Sequence, residues 1–293
     1  MHRHDIGRPY LESSPYIGEA AYRLFAEKGR VSPEAHLWGA RDYHKADFYK
    51  QSIAHFVSET GYHGSPSPES IEKFITPPAL WPYKGNSEWI LHSSDQNGSQ
   101  HRVILMEYQI RQLFGRVPDN LRDFSRASQI CQAEAKKYFI ERIRVGRPKK
   151  TGIIWWNLLD GWPQFSDAVV DYYFNKKLAY GYIKRSEAPF AVCLDELEAR
   201  VQKVYACNDT LDDVRGSVRI YDADTEAVIF EKSFTARQNT STEIGRIFTE
   251  YHEHKMLIIE WTTDKGSGMN HYLCGFPPHD LERYNGWIEK YKL

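Results

Sequence analysis

Apolar positions along this chain recur with two different rhythms, and the change falls near residue 188. Before it, strand-like and helix-like runs alternate. "HFVSE" (55–59) is a short apolar run that stops at an acid and the pair Thr60-Gly61, and it reads as a buried strand. "HLWGARDYHKADFY" (36–49) reads as a short strand and then a loop, while "SPESIEKFI" opens with a Ser-Pro start signal and becomes a short helix. Residues 76–100 are rich in Pro, Gly, Asn and Ser and read as a long loop. "RVILMEYQIRQLFG" is a helix closed by Gly115, with Pro118 beyond it. A longer helix runs through "NLRDFSRASQICQAEAKKYFIERIR". There Ala127, Ile130, Cys131, Ala135, Tyr138 and Phe139 recur at helical spacing, which predicts one buried face. "TGIIWWNLLDGWP" is a continuous apolar run between Gly152 and Asp160-Gly161, the pattern of a strand buried on both faces. "FNKKLAYGYIKRSEAP" supplies a further helix that stops before Pro189.

Beyond residue 188 the runs shorten and alternate. "FAVCL", "ARVQKVYAC", "RGSVRIYD", "AVIFEKSFT", "TEIGRIF", "KMLIIEWT" and "MNHYLCG" are separated by turn-forming "NDT", "DADTE" and "DKGSG". That spacing predicts an immunoglobulin-like β-sandwich. The tail "HDLERYNGWIEKYK" has helical spacing and is expected to pack back on the body. The chain therefore divides into residues 1–187, of α/β character, and 188–293, an all-β sandwich with a carboxy-terminal helix. A complete (β/α)8 barrel takes about 250 residues and eight strands. The first part has room for the last three or four.

Composition narrows the function. Of 293 residues, 41% are hydrophobic and 26% charged, the balance of a globular protein. A net charge of −1, with no basic run interleaved with aromatics, argues against a nucleic-acid partner. No apolar stretch reaches the roughly 20 residues of a membrane span, so no membrane partner is expected. Aromatic content is 14%, with 8 Trp and 19 Tyr, which suits either a large core or a site that stacks sugars. The four cysteines show neither CxxC spacing nor a paired His, so no metal site is expected and a disulfide has no support. His2 and His4 read as part of a polar end. The amino terminus lacks a signal-peptide apolar region, and the sequons at Asn97, Asn208 and Asn239 are too short to establish secretion. Compartment stays open.

Glu59 ends a strand and is followed by Thr60-Gly61, which in a parallel barrel is the position of the catalytic face. Taken alone, such an acid more often caps a helix or pairs with an Arg. Four motifs in order change that balance: "RPYLESSP", "HLWGARDY", "FVSETGYHGSPS" and "GIIWWNLLDGWPQFSDAVVDYY". With them the chain resembles glycoside hydrolase family two, the β-galactosidase, β-glucuronidase and β-mannosidase family, and is most like the β-mannosidases. The resemblance covers nearly the whole chain and implies the carboxy-terminal part of a (β/α)8 barrel followed by the sandwich.

The resemblance implies a retaining exo-β-glycosidase acting on terminal β-linked sugars, with Glu59 as the catalytic nucleophile. It implies no cofactor and no metal, since two carboxylates perform the chemistry. Thr60 departs from the aromatic common at its position. Trp156 matches a family Trp of the sugar site, whereas Trp155 alternates to the opposite face. Asp160 matches an Asp near the site, and its plain alternative is a turn residue before Gly161. Trp38 and Asp42 belong to a loop that lines the pocket in mannosidase-like members. Leu159 stands where such members often carry Asn. His63, Tyr62 and Trp162 read as structural. The acid/base of the family lies in an Asn-Glu pair on an earlier strand, and no such dipeptide precedes residue 59. Glu12, Glu19, Glu27 and Glu34 fall on polar segments. The chain is therefore expected to enter the barrel near its fifth or sixth strand, with the amino-terminal half as a partner besides the carbohydrate. The alternatives are a non-catalytic carbohydrate-binding or structural module, and a two-chain enzyme.

Overall fold

In the computed structural model, residues 3–5, 7–8, 10–20, 22–23, 32–94 and 102–293 are described. His2, Glu27 and the sequon at Asn97 lie outside them. Three strands run parallel: β1 (Ser32–His36), β2 (Ala54–Gly61) and β3 (Gly152–Trp156), with β2 in the middle. Four longer helices follow the sequence reading: α1 (Arg102–Phe114), α2 (Leu121–Val145), α3 (Leu178–Ser186) and α4 (Leu281–Tyr291). Their ends are set by local chemistry. The Asn120 side chain accepts from the Asp123 N–H at 3.0 Å to cap α2, and Asp280 accepts from the Arg283 N–H at 2.7 Å to cap α4. Gly115 takes φ +74° to close α1, a conformation that L side chains resist.

Four expectations are corrected. The strand expected from residue 36 lies earlier, at Ser32–His36. Pro33 concealed it, yet Pro is tolerated on an edge strand, and among the described residues β1 pairs only with β2. The segment 76–100, read as a loop, contains a turn at Pro77–Ala79 and a helix at Ser87–Leu91 capped by Asn86. Trp89 on that helix is fully buried, stacks on Phe165 at 4.3 Å and donates Nε1 to the Ala79 carbonyl at 3.1 Å. One aromatic anchor orders a segment whose composition looks unstructured. The third correction concerns α2, which buries nearly its whole circumference from Phe124 onward. Its charged residues are buried because they find partners: Lys137 with Glu141 at 2.8 Å, Glu134 with His271 at 2.9 Å, and Arg144 with the Cys207 carbonyl at 3.2 Å. The fourth concerns β3, expected to be covered on both faces. It is an edge strand, and Ile154 and Trp156 stand 57% and 51% exposed.

The seven alternating runs form two antiparallel sheets. β4 (Phe190–Leu194), β5 (Val201–Asn208) and β8 (Thr240–Phe248) make one, in the order β4-β5-β8. β6 (Val214–Asp222), β7 (Val228–Ala236), β9 (Lys255–Thr263) and β10 (Gly266–Cys274) make the other, in the order β10-β9-β6-β7. Val192, Val204, Ala206, Ile220 and Ile259 meet in the core between them. A second core joins Tyr221, Ala223, Met256, Ile258 and Leu273 of the sandwich to the α2 and α4 helices, so the two parts share apolar packing. All four cysteines are free and buried. Among the described residues, no helix is long and apolar enough to cross a membrane, and no cluster of three or more His, Cys, Asp or Glu could hold a metal ion.

Candidate active site

Parallel pairing brings the carboxy-terminal ends of β1, β2 and β3 to one rim. His36 stands opposite Glu59 on one side of β2, and Gly61 stands opposite Trp156 on the other. Both ladders slip at this level, between Ala35 and His36 and between Val57 and Thr60. Such an irregularity re-aims side chains at a sheet rim. Glu59 precedes by two residues the Gly61 that pairs with Trp156, so the two lie on neighbouring strands at the same end of the sheet.

Glu59 is part-exposed, and its Oε1 accepts a hydrogen bond from Trp38 Nε1 at 2.7 Å. His36 Nδ1 lies 3.9 Å from the same oxygen. The loop that presents Trp38 is pinned from three directions. The Leu37 N–H donates to the Glu59 carbonyl at 2.7 Å, Thr60 Oγ1 donates to the Leu37 carbonyl at 2.7 Å, and the Tyr49 hydroxyl donates to the Trp38 carbonyl at 2.9 Å. Thr60 thus uses its hydroxyl to anchor the loop where the family resemblance leads one to expect an aromatic ring. Gly61 has a steric reason: a Cβ there would sit 2.5 Å from the Trp38 ring. The Arg41 guanidinium lies 4.7 Å from the centroid of that ring.

Trp156 reaches the rim half-exposed, and its carbonyl accepts from Lys136 Nζ, a buried ammonium of α2. Burial lowers the Lys136 pKa to about 7, with Asp167 opposing and Lys177 adding to the shift. Trp155 turns away and donates Nε1 to Glu187 at 2.7 Å. Asp42 lies in the Trp38 loop; Tyr62 donates to its carbonyl, and its Oδ1 is buried without a hydrogen-bond partner among the described residues.

Asp160 sits in the turn before Gly161 and faces inward. It is 3% exposed, and its Oδ1 accepts from Gln164 Nε2 at 2.7 Å and Ser166 Oγ at 2.6 Å. Burial raises its pKa, against Lys177 and those hydrogen bonds. The chain doubles back after Leu159, with the Asp160 N–H bonded to the Val170 carbonyl at 3.2 Å, and this folds the carboxylate inward to brace the turn. His63 is likewise internal, 2.7 Å from Arg102 Nη1 and 3.1 Å from Gln109 Nε2. Trp162 stacks on His92 at 5.1 Å, and Leu159 is exposed.

Sequence reading missed a polar group beside Glu59. Ser14 Oγ lies 2.7 Å from Glu34 Oε1, 3.1 Å from His36 Nε2 and 3.3 Å from Ser58 Oγ. Glu34 was assigned to a polar segment; it is a buried residue of β1, and its Oε2 also accepts from the Tyr16 N–H at 2.8 Å. Burial pushes its pKa up, but hydrogen bonds from Ser58, Ser14 and Tyr16, with His36 nearby, hold it below the ordinary value. That direction is wrong for a general acid, which needs a raised pKa. The signal available was the period-two row Ser32, Glu34, His36, invisible to a search for apolar alternation.

No family model matches the chain. Two curated relatives do. β-Mannosidase B of Thermothelomyces thermophilus is 27% identical over 280 residues, covering 83% of this chain and 31% of its own length. β-Mannosidase of Mus musculus is 28% identical over 205 residues, covering 63% of this chain and 22% of its own length. The chain thus spans about a third or less of the relatives it matches. Among solved structures, the β-D-mannosidase of Dictyoglomus thermophilum superposes with a TM-score of 0.79 at 24% identity, over 95% of this chain and 34% of that one. The exo-chitosanase of Amycolatopsis orientalis, solved with PNP-β-D-glucosamine, superposes with a TM-score of 0.63 at 16% identity, over 86% of this chain and 34% of that one. In sequence over most of its length, and in fold, this chain is similar to the carboxy-terminal portion of a β-mannosidase of glycoside hydrolase family two.

Proposed function

We propose that this chain carries the nucleophile side of a retaining exo-β-glycosidase site, with a terminal β-mannoside as the favoured substrate. Its three parallel strands are, in this reading, the last part of a (β/α)8 barrel spanning residues 1–187, and residues 188–293 are the sandwich and closing helix. The observation that carries the proposal is the Trp38 Nε1 to Glu59 Oε1 hydrogen bond of 2.7 Å at the carboxy-terminal end of the middle strand. The donor holds Oε1 in place and leaves Oε2 to attack. Glu59 Oε2 forms a bond to the anomeric carbon as the glycosidic C–O bond breaks, and the leaving oxygen takes a proton from a second carboxylic acid. Water, deprotonated by that same carboxylate, then displaces Glu59 and releases the sugar. Trp156 supplies the flat face for the sugar and Trp38 with Asp42 the wall beside it. Asp160 acts from below, by holding the turn that follows Trp156.

In a retaining pair the second carboxylate stands about 5–5.5 Å from the first. Glu34 is unsuited because both its oxygens already accept hydrogen bonds, from Ser14 Oγ and the Tyr16 N–H, which favour its ionised form. The proposal therefore assigns the acid/base to an amino-terminal half barrel that completes the site. Two carboxylates cover both proton transfer and nucleophilic attack, so no metal or organic cofactor is required.

Incubation with 2-deoxy-2-fluoro-β-mannosyl fluoride tests this, because a fluoride leaving group needs no proton. Mass spectrometry of the chain, alone and co-expressed with an amino-terminal half, should find the adduct on the peptide containing Glu59. A second reading, a non-catalytic carbohydrate-binding module, is favoured by the openness of the rim around Ile154 and Trp156. Absence of any adduct with the partner present would select it.

A further inference from the structure

A cleft of about 480 Å³ opens where the carboxy-terminal end of α3 meets the β9–β10 hairpin, within the range of small-molecule sites. Arg185, Phe190, Thr210, Trp261, Lys265 and Ser267 line it, and no carboxylate does among the described residues. Two cations therefore face the space in a chain whose formal charge is −1. The opening exists because its β10 wall is small. Gly266, at φ +137°, has nothing within 4 Å of a Cβ position, and a Cβ on Gly268 would stand 2.4 Å from the Trp261 ring. The indole lies over this thin strand, and β10 is the outer strand of its sheet.

Arg185 is the unusual residue. Its guanidinium packs 4.8 Å from the centroid of the Tyr182 ring, and Nη2 is buried with no hydrogen-bond partner among the described residues. A buried donor without a partner is costly; Arg185 lines the cleft, and a rotation of its guanidinium toward an oxyanion there would give that donor a charge-assisted bond. Lys265 lies 3.4 Å from Asp212, but both are solvent-exposed, so that pair is weak and leaves the ammonium available. Aromatic side chains (Phe190, Trp261) and hydroxyls (Thr210, Ser267) complete a lining that is partly apolar and partly hydrogen-bonding.

We propose that this cleft binds a sugar that carries an oxyanion, either a uronate or a sugar phosphate. The oxyanion meets Arg185 and Lys265, the ring lies against Phe190 and Trp261, and the ring hydroxyls reach Thr210 and Ser267. The site uses none of the residues assigned to the glycosidase reading and stands or falls apart from it.

Titration calorimetry and amide NMR on the full chain test it with three probes: glucuronate, glucose 6-phosphate and neutral methyl glucoside. At least one acid should bind, shift the Trp261 indole and the Gly266 and Gly268 amides, and weaken with added salt. Arg185→Gln should cut that affinity by about tenfold or more, the worth of one charge-assisted hydrogen bond. Because Arg185 also packs on Tyr182, Lys265→Glu at the exposed rim is the second variant, and it should weaken the acid without lowering the melting temperature. Glu59→Gln should leave binding unchanged. The proposal is overturned if neither acid binds at millimolar concentration. Methyl glucoside binding as tightly as the acids, or acid binding that ignores both cleft substitutions, overturns it as well.

Discussion

In the sandwich, strands such as β6 and β9 have a neighbour on each side and a second sheet facing them; in the parallel sheet, among the described residues, only β2 is flanked on both sides. The consequence shows in side chains of similar character. Ile259 on β9 is fully buried, whereas Ile154 on β3 is 57% exposed. A sheet closed by its own partners makes a core, while a three-stranded parallel sheet keeps free edges and an uncovered face. The sandwich and shared core thus supply burial that the parallel sheet does not supply for itself. The strand ends at this open rim carry Glu59 and Trp156, with Trp38 bonded to Glu59, so the part proposed to do chemistry belongs to the sheet with free edges rather than to the closed sandwich.

The largest effect expected from this contrast is on activity. The chain alone should hydrolyse an aryl β-mannoside about 10²–10⁴-fold more slowly than the chain with an amino-terminal half barrel, the usual worth of a general acid. Glu59→Gln should abolish turnover in the pair. Rates measured with p-nitrophenyl β-mannoside check both. Efficient hydrolysis of an unactivated disaccharide by the chain alone would show that the acid lies within it.

Next in size is Ile259→Ala, expected to cost about 2–5 kcal/mol in denaturant melts because it opens a cavity between two closed sheets. Acid should strike where the two regions join. Burial lowers the pKa of His44 to about 3 and those of His271 and His279 to about 4, against an ordinary 6.5. Lys45 lowers His44 further, and Glu134 acts the other way on all three. A folded pKa below the unfolded one means that the unfolded chain binds more protons as pH falls. Stability should therefore be highest above about pH 6.5 and decline toward pH 4, by roughly 1–2 kcal/mol per histidine at pH 5. Melts at pH 7, 6 and 5 would measure the slope, and His279→Gln should flatten it. A flat profile would mean that these rings are not buried neutral. The smallest effect belongs to the open sheet: Ile154→Thr should change stability by no more than about 0.5 kcal/mol. A cost close to that of Ile259→Ala would mean that the β3 face is covered in solution.

Sequence and structure agree most closely where interactions are local. The seven sandwich runs and the four longer helices are legible because alternation, caps such as Asn120 and Asp280, and turn residues act over a few positions. Glu59 was singled out by its motif, and its role as nucleophile is part of the proposal. The helix at Ser87–Leu91 was not, since Trp89 depends on Phe165, far along the chain. Nor was the position of Glu34, whose carboxylate is held by Ser14, Tyr16 and Ser58 from separate segments.

By itself, then, the sequence determined the order and type of most elements and singled out Glu59 with Trp38 and Trp156, because period and motif are written in neighbouring residues. Only the tertiary structure decided that Trp38 holds Glu59, that Asp160 turns inward, and that α2 is buried nearly all round with its charges paired. It alone placed Arg185 in a cleft with an unmatched donor. Each of these is a contact between segments distant in the chain, and burial of a polar group is decided by whether a partner arrives from elsewhere.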